Sequence, residues 1–227
     1  MQRVSAAIFC LTLISILGGC TSSNTAGHFF NQDLANELIA MEQLDQSLEQ
    51  MVVNSDPRAR EEGFFERKEA LHALQSDRCK AIFNDVGYPG VDMVGQQASR
   101  AFWLLIQHAD ADPAFQTRVA DAMKPVVLAG NADAVDLAYL TDRVRINTQR
   151  PQLYGTQLQY DLNIGRAMPK QIEDPRDVDA RRTSVGLEPL WEYMNSVSDL
   201  HYQMNLSLYN EKGIDHPWIY PNGFTDW

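Results

Sequence analysis

Apolar residues recur at three- and four-residue steps along most of the chain, the spacing that gathers them on one face of an α-helix. Leu34, Leu38, Met41, Leu44, Leu48 and Met51 form the first such stripe, and Asn54-Ser55-Asp56-Pro57 interrupts it. Asp56 is suited to cap a second helix with Pro57 in its first turn, running through Phe64, Leu71, Leu74 and Ile82 and weakened locally by Gly63. Gly87-Tyr88-Pro89-Gly90 reads as a turn. Beyond it Val94, Ala98, Ala101, Phe102 and Leu105 share one face while Trp103, Leu104 and Ile106 fill the others, which predicts a buried central helix ending near His108.

Asp112-Pro113 repeats the cap-and-proline start for a helix with Phe115, Val119, Met123 and Val126 inward, which Pro125 should kink or end early. Asp133 caps a shorter helix reaching Val144. The period then changes. "PQLYGTQLQYDL" alternates and carries a glycine, so a strand or hairpin is expected. A helix returns near 175–185 and stops at Gly186, with Leu187 placed to pack back on it. Leu190, Met194, Val197, His201, Met204 and Leu208 mark a last helix ended by Gly213, and the aromatic tail "HPWIYPNGFTDW" should wrap onto the body. The expected fold is mainly α, a compact multi-helix domain with one small β-hairpin around residues 150–165.

The amino-terminal pattern differs from all of this. Residues 4–17 are apolar but fall short of the roughly 20 that span a bilayer, follow Arg3, and lead into Leu17-Gly18-Gly19-Cys20. Positive charge, apolar run and small residues in that order make a secretory signal. The last four residues resemble a bacterial lipobox, which implies cleavage before Cys20 and acylation of its thiol by palmitate-type chains. Several acyl chains anchor stably where one does not. Thr21 is not the aspartate linked to inner-membrane retention, so the periplasmic face of the outer membrane is expected. The resulting division is 1–19 signal peptide, 20–30 lipidated cysteine and polar tether, and 31–227 a single helical domain.

Composition narrows the partners. The formal net charge is −11, and loss of Arg3 with the signal makes it −12. A phosphate backbone would be repelled and no basic stripe is present, which excludes nucleic acid and leaves the acyl chains as the contact with membrane. Of three cysteines, Cys10 leaves with the signal and Cys20 is committed to lipid, so Cys79 reads as a small core residue.

Three polar clusters could carry chemistry. In Gln107-His108-Ala109-Asp110-Ala111-Asp112, His108 and Asp110 are candidate acid/base or ligand groups, but no second HxH or ExxH spacing completes a metal set, so neither a metal nor another cofactor is expected. In Asp142-Arg143-Val144-Arg145, Asp142 is placed to pair with Arg145 at i+3, freeing Arg143 for another partner. In Gln152-Leu153-Tyr154-Gly155-Thr156-Gln157, a strand would put Gln152, Tyr154 and Thr156 on one face, able either to orient a polar ligand or to finish a sheet edge. There is no GxSxG, P-loop, GxGxxG or HExxH pattern.

"GYP", "AFWLLIQHADADPAFQ", "LAYLTDRV", "PQLYGTQ" and "DARRTSVGLEPLWEY", in that order, resemble a bacterial family known only as a domain of unknown function. The resemblance implies no activity, substrate or cofactor. It marks Gln107, His108, Asp110, Asp142, Arg143, Gln152, Tyr154, Gly155, Gln157, Arg181 and Arg182 as a shared motif set, either a pocket or a fold lock. The expected function is a lipid-anchored periplasmic binding module for an envelope protein or a small polar ligand. An acidic tethered domain suits electrostatic capture of a basic protein, as an immunity or inhibitor lipoprotein would perform. The alternatives are a periplasmic hydrolase or transferase using His108 with Asp142 or Arg143, and a structural envelope protein.

Overall fold

The computed structural model describes residues 30–54 and 56–227; the residues read as signal peptide and lipobox, and most of those read as a tether, lie outside them. The described residues form eight α-helices, two short 3₁₀ turns and one two-stranded antiparallel hairpin joined by loops. Helix α1 (Gln32–Val53) starts at Asn31, whose side chain accepts from Leu34 N–H. Its buried positions, Leu34, Ala35 and Leu38, follow the expected stripe at first, but Leu44 is 53% exposed while Asp45 is fully buried. The helix has turned a polar position inward, toward the partners described below.

Asp56 caps as expected, but what it opens is a 3₁₀ turn, Pro57–Arg60. Gly63, at φ +76°, separates that turn from α2 (Phe64–Val86). Gly63 is thus the break between two elements, a left-handed backbone that a side chain would strain. The inward face of α2 carries Gln75, Ser76, Cys79 and Ile82, and Leu74, expected inside, is exposed. Burial pushes the Cys79 thiol up to about 12, an inert core group.

Helix α3 (Val91–Gln107) is the buried centre that its all-round apolar surface predicts, packing against α1, α2, α4 (Pro113–Leu128) and α5 (Ala134–Asn147). Asp112 caps α4 by accepting from Phe115 N–H, and Pro125 sits in its last turn without ending it early. Asp133 caps α5 by accepting from Val135 N–H.

The hairpin lies slightly later than the pattern suggested. Strands β1 (Leu158–Asp161) and β2 (Arg166–Pro169) pair in register Leu158 with Pro169, and 151–157 forms an irregular loop tied to the segment after β2 by a bridge from Gln152 to Ile172 and by Lys170 N–H donating to Gln157 O. The shared strand face read for Gln152, Tyr154 and Thr156 therefore does not form. After a 3₁₀ turn, α6 (Val178–Ser184) ends at Gly186 (φ +86°), where Leu187 N–H returns to Arg182 O. The last helical stretch is two helices, α7 (Leu190–Met204) and α8 (Leu206–Glu211), divided at Asn205, whose amide bonds His201 O.

Two apolar clusters result. One collects side chains of α1 to α5, and the other collects Ala167, Val178, Leu190, Tyr193, Met194, Val197 and the tail residue Tyr220. Tyr139 on α5 packs against both. The tail does wrap onto the body: Tyr220 Oη donates to Ala167 O, and its N–H donates to Asn195 Oδ1. Among the described residues no helix is long and apolar enough to cross a membrane.

Candidate functional site

The motif residues separate into an interlocked polar scaffold and one cluster of a different kind. Asp142, fully buried on α5, accepts from Leu153 N–H (2.7 Å), Tyr154 N–H (3.1 Å), Thr156 N–H (3.0 Å) and Thr156 Oγ1 (3.0 Å). Burial raises its pKa, and the bonds from Thr156, Leu153 and Tyr154 pull it back. The expected i+3 pair with Arg145 does not form, because Arg145 instead pairs with Glu173 and donates to Pro151 O. Four loop donors outcompete one cation for a carboxylate shut away from water.

The rest of the loop is held in the same way. Gln152 Nε2 donates to Gln157 O and Lys170 O while its Oε1 accepts from Gln157 N–H. Arg181 donates to Leu153 O, Glu173 O and Asp174 O. Arg182, fully buried, donates to Tyr154 O and Glu188 O and stacks 5.0 Å from the Tyr193 ring. Gly155 stands at φ +73° with the methyl groups of Leu190 where a Cβ would go. These residues build a loop around a buried carboxylate. The Tyr154 phenol stays half-buried, its pKa raised by burial and by Asp142.

Arg143 does find another partner. It forks onto Asp110 at 2.9 and 3.0 Å and reaches Gln157 Oε1 at 3.4 Å. Asn147 and Gln116 also donate to Asp110. Against desolvation, which raises it, Arg143 and these amides hold the Asp110 carboxyl below its ordinary range. Gln107 is fully buried, with its amide oxygen, in the orientation that satisfies its neighbours, accepting from Leu140 N–H and Trp103 Nε1.

His108 points elsewhere. At the C-terminus of α3 its Nδ1 lies 2.8 Å from Asp45 Oδ1 on α1, so its carboxylate partner is Asp45 and not Asp142. His72 on α2 brings Nε2 to 3.2 Å from the same oxygen, and the two imidazoles stack with centroids 5.0 Å apart. Glu49, one turn beyond Asp45, places Oε1 3.7 Å from His72 Nε2 and 2.7 Å from Lys68 Nζ. Gln46 donates to the other oxygen of Asp45. Burial would raise the Asp45 pKa, but the hydrogen bond with His108 and the closeness of the His72 imidazole hold it far below the usual carboxylate range. Asp45 and Glu49 on α1 and His72 on α2 were missed in sequence because no motif links the two helices. The available signal was two i, i+4 pairs, Asp45 with Glu49 and Lys68 with His72, each on one helix face.

A separate surface depression of about 420 Å³, lined by Glu42, Gln96, Gln97 and Arg100, is open to solvent. The family of unknown function DUF6624 matches residues 32–206. The chain belongs to this family. No curated protein and no solved structure matches it. Membership covers α1 through α7, so both the loop scaffold and the Asp45, His72 and His108 cluster fall inside the family's domain.

Proposed function

We propose that the chain is a lipid-anchored envelope domain, acylated at Cys20 on the periplasmic face of the outer membrane, that binds an envelope or incoming protein through its acidic surface. The observation that carries the binding reading is the dispersal of the groups a catalyst would need. His108 is engaged with Asp45, Asp142 with the backbone of 153–156, and Arg143 with Asp110. A loop fixed by this many buried bonds keeps the fold around it rigid, which lowers the ordering cost of association. The net charge of −11 favours a basic partner of the immunity or inhibitor type by steering its approach.

The catalytic alternative keeps one specific support, the 2.8 Å contact of His108 with a buried carboxylate, the arrangement that orients a general base. In that reading a hydrolase or transferase would use Asp45, with Asp142 and Arg143 as scaffold. The two separate on chemical cross-linking in intact envelopes, followed by purification of wild type and His108→Ala. A one-to-one cross-linked partner, retained by the variant and released from the uncross-linked complex by high salt, is the expected result. Turnover of an envelope substrate that His108→Ala abolishes would overturn the binding reading.

A further inference from the structure

The meeting of His72 and His108 on one carboxylate oxygen is not explained by hydrogen bonding. His108 Nδ1 makes a normal contact with Asp45 Oδ1, but His72 Nε2, shielded from solvent and 3.2 Å from the same oxygen, lacks hydrogen-bond geometry to it or to any other acceptor among the described residues. Two imidazole nitrogens and a carboxylate oxygen all lie within 4.8 Å of one another. In place of a network with each donor matched to an acceptor, three groups able to donate an electron pair stand together, one of them without a hydrogen-bond partner.

We propose that Asp45, His72 and His108 form a binding site for a divalent transition-metal ion of the zinc type, with Glu49 as the fourth ligand. The inference stands independently of the protein-binding function. Zinc bonds of about 2.0–2.1 Å to N and O in a tetrahedron set neighbouring donor atoms roughly 3.3 Å apart. The contacts here are 2.8 Å for His108 with Asp45, 3.2 Å for His72 with Asp45 and 3.7 Å for His72 with Glu49. The two contacts to Asp45 lie somewhat below that value and the three donor atoms already lie within 4.8 Å of one another, whereas Glu49, close to His72 alone, must swing away from Lys68 to complete the set. Two imidazoles and carboxylates suit a borderline cation better than magnesium or calcium, which prefer oxygen alone. Asp45 is fully buried and the side chains of His108 and His72 are 9% and 19% exposed, leaving little room for the several waters of an octahedral ion.

The supporting residues fit the same purpose. Gln46 donates to Asp45 Oδ2, fixing the carboxylate so that Oδ1 faces the imidazoles. Three helices contribute ligands, so the ion would clamp α1, α2 and the end of α3 together. Lys68, 2.7 Å from Glu49, competes with a cation for that carboxylate. Removing the lysine charge should therefore tighten metal binding, an effect that a purely structural Asp–His–His cluster would not produce.

The test uses the full chain, stripped with chelator, then titrated with Zn²⁺ and separately with Co²⁺. One Zn²⁺ per chain is expected, with the intense visible bands of four-coordinate Co²⁺. Weak six-coordinate bands would overturn the zinc-type assignment. His72→Ala and Asp45→Asn should each weaken binding at least tenfold, and Lys68→Gln should strengthen it severalfold. Wild-type affinity in both ligand variants, or no stoichiometric uptake by wild type, would overturn the proposal. Should either ligand variant fail to fold, histidine acylation of the wild type read by mass spectrometry decides: Zn²⁺ should protect His72 and His108, and equal labelling with and without Zn²⁺ would overturn it.

Discussion

Asp142 holds Thr156 twice, through the backbone N–H and through Oγ1, both at 3.0 Å. With the N–H groups of Leu153 and Tyr154 also on the carboxylate, one side chain of α5 dictates the path of the loop before β1. Asp142→Asn leaves a single acceptor oxygen and turns an amide NH₂ toward backbone donors. Losing a buried network of this kind costs about 3 kcal/mol. Thermal unfolding should report a fall in Tm of roughly 10 °C at this chain length. An unchanged Tm would mean that the loop finds its path without Asp142.

Gly155 and Gly130 separate crowding from backbone strain. Both have positive φ, +73° and +71°, but a Cβ on Gly155 would lie 2.7 Å from Leu190 Cδ1, whereas nothing lies within 4 Å at Gly130. Gly130→Ala should cost about 1 kcal/mol, the left-handed penalty alone. Gly155→Ala should cost about 2–4 kcal/mol, because Leu190 is fully buried and overpacking adds to the strain. Urea unfolding of the two variants measures the difference, and equal losses would remove the packing role assigned to Gly155.

Asp136 supplies a pH dependence. Burial lifts its pKa from 3.8 to about 7, with Arg100 opposing and Asp133 adding to the rise. A carboxyl with a raised folded pKa holds more protons folded than unfolded between these values, so its contribution to stability declines as pH climbs from about 4 to about 7 and is level above. Asp136→Asn should flatten that decline and make the protein more stable than wild type at pH 8, by up to a few kcal/mol. Chemical denaturation at pH 5 and pH 8 gives the comparison. A variant no more stable than wild type at pH 8 would show that the buried carboxylate carries no charge penalty.

Cys20 carries the anchoring proposal. The wild-type chain should partition into the detergent phase and Cys20→Ser into the aqueous phase. Persistence of the variant in detergent would refute acylation at this residue.

The helical architecture was legible because apolar spacing and the Asp-Pro starts are local signals, and α3 announced its burial through Trp103, Leu104 and Ile106 filling its remaining faces. The polar interior was not. Asp45 sits beside Leu44 in an apolar stripe, and no local rule says that the carboxylate goes in and the leucine out; that follows from His72 and His108 arriving on other helices. The bond from Asp142 to the 153–156 loop is likewise non-local, so the i+3 partner Arg145 looked the better match. Gly63 read as a weak point in one helix because a glycine that separates two elements and one that interrupts a single element look alike until φ is known.

Tyr139 is the seam between the two apolar clusters, and each cluster draws on a continuous part of the chain, residues 34–144 for one and 167–220 for the other. A polypeptide emerging amino-terminus first can therefore close its larger core before the second half exists. The second half then assembles against a surface already made, with α5 as the template. Hydrogen exchange should accordingly resolve two cooperative blocks, with α5 protected alongside the first.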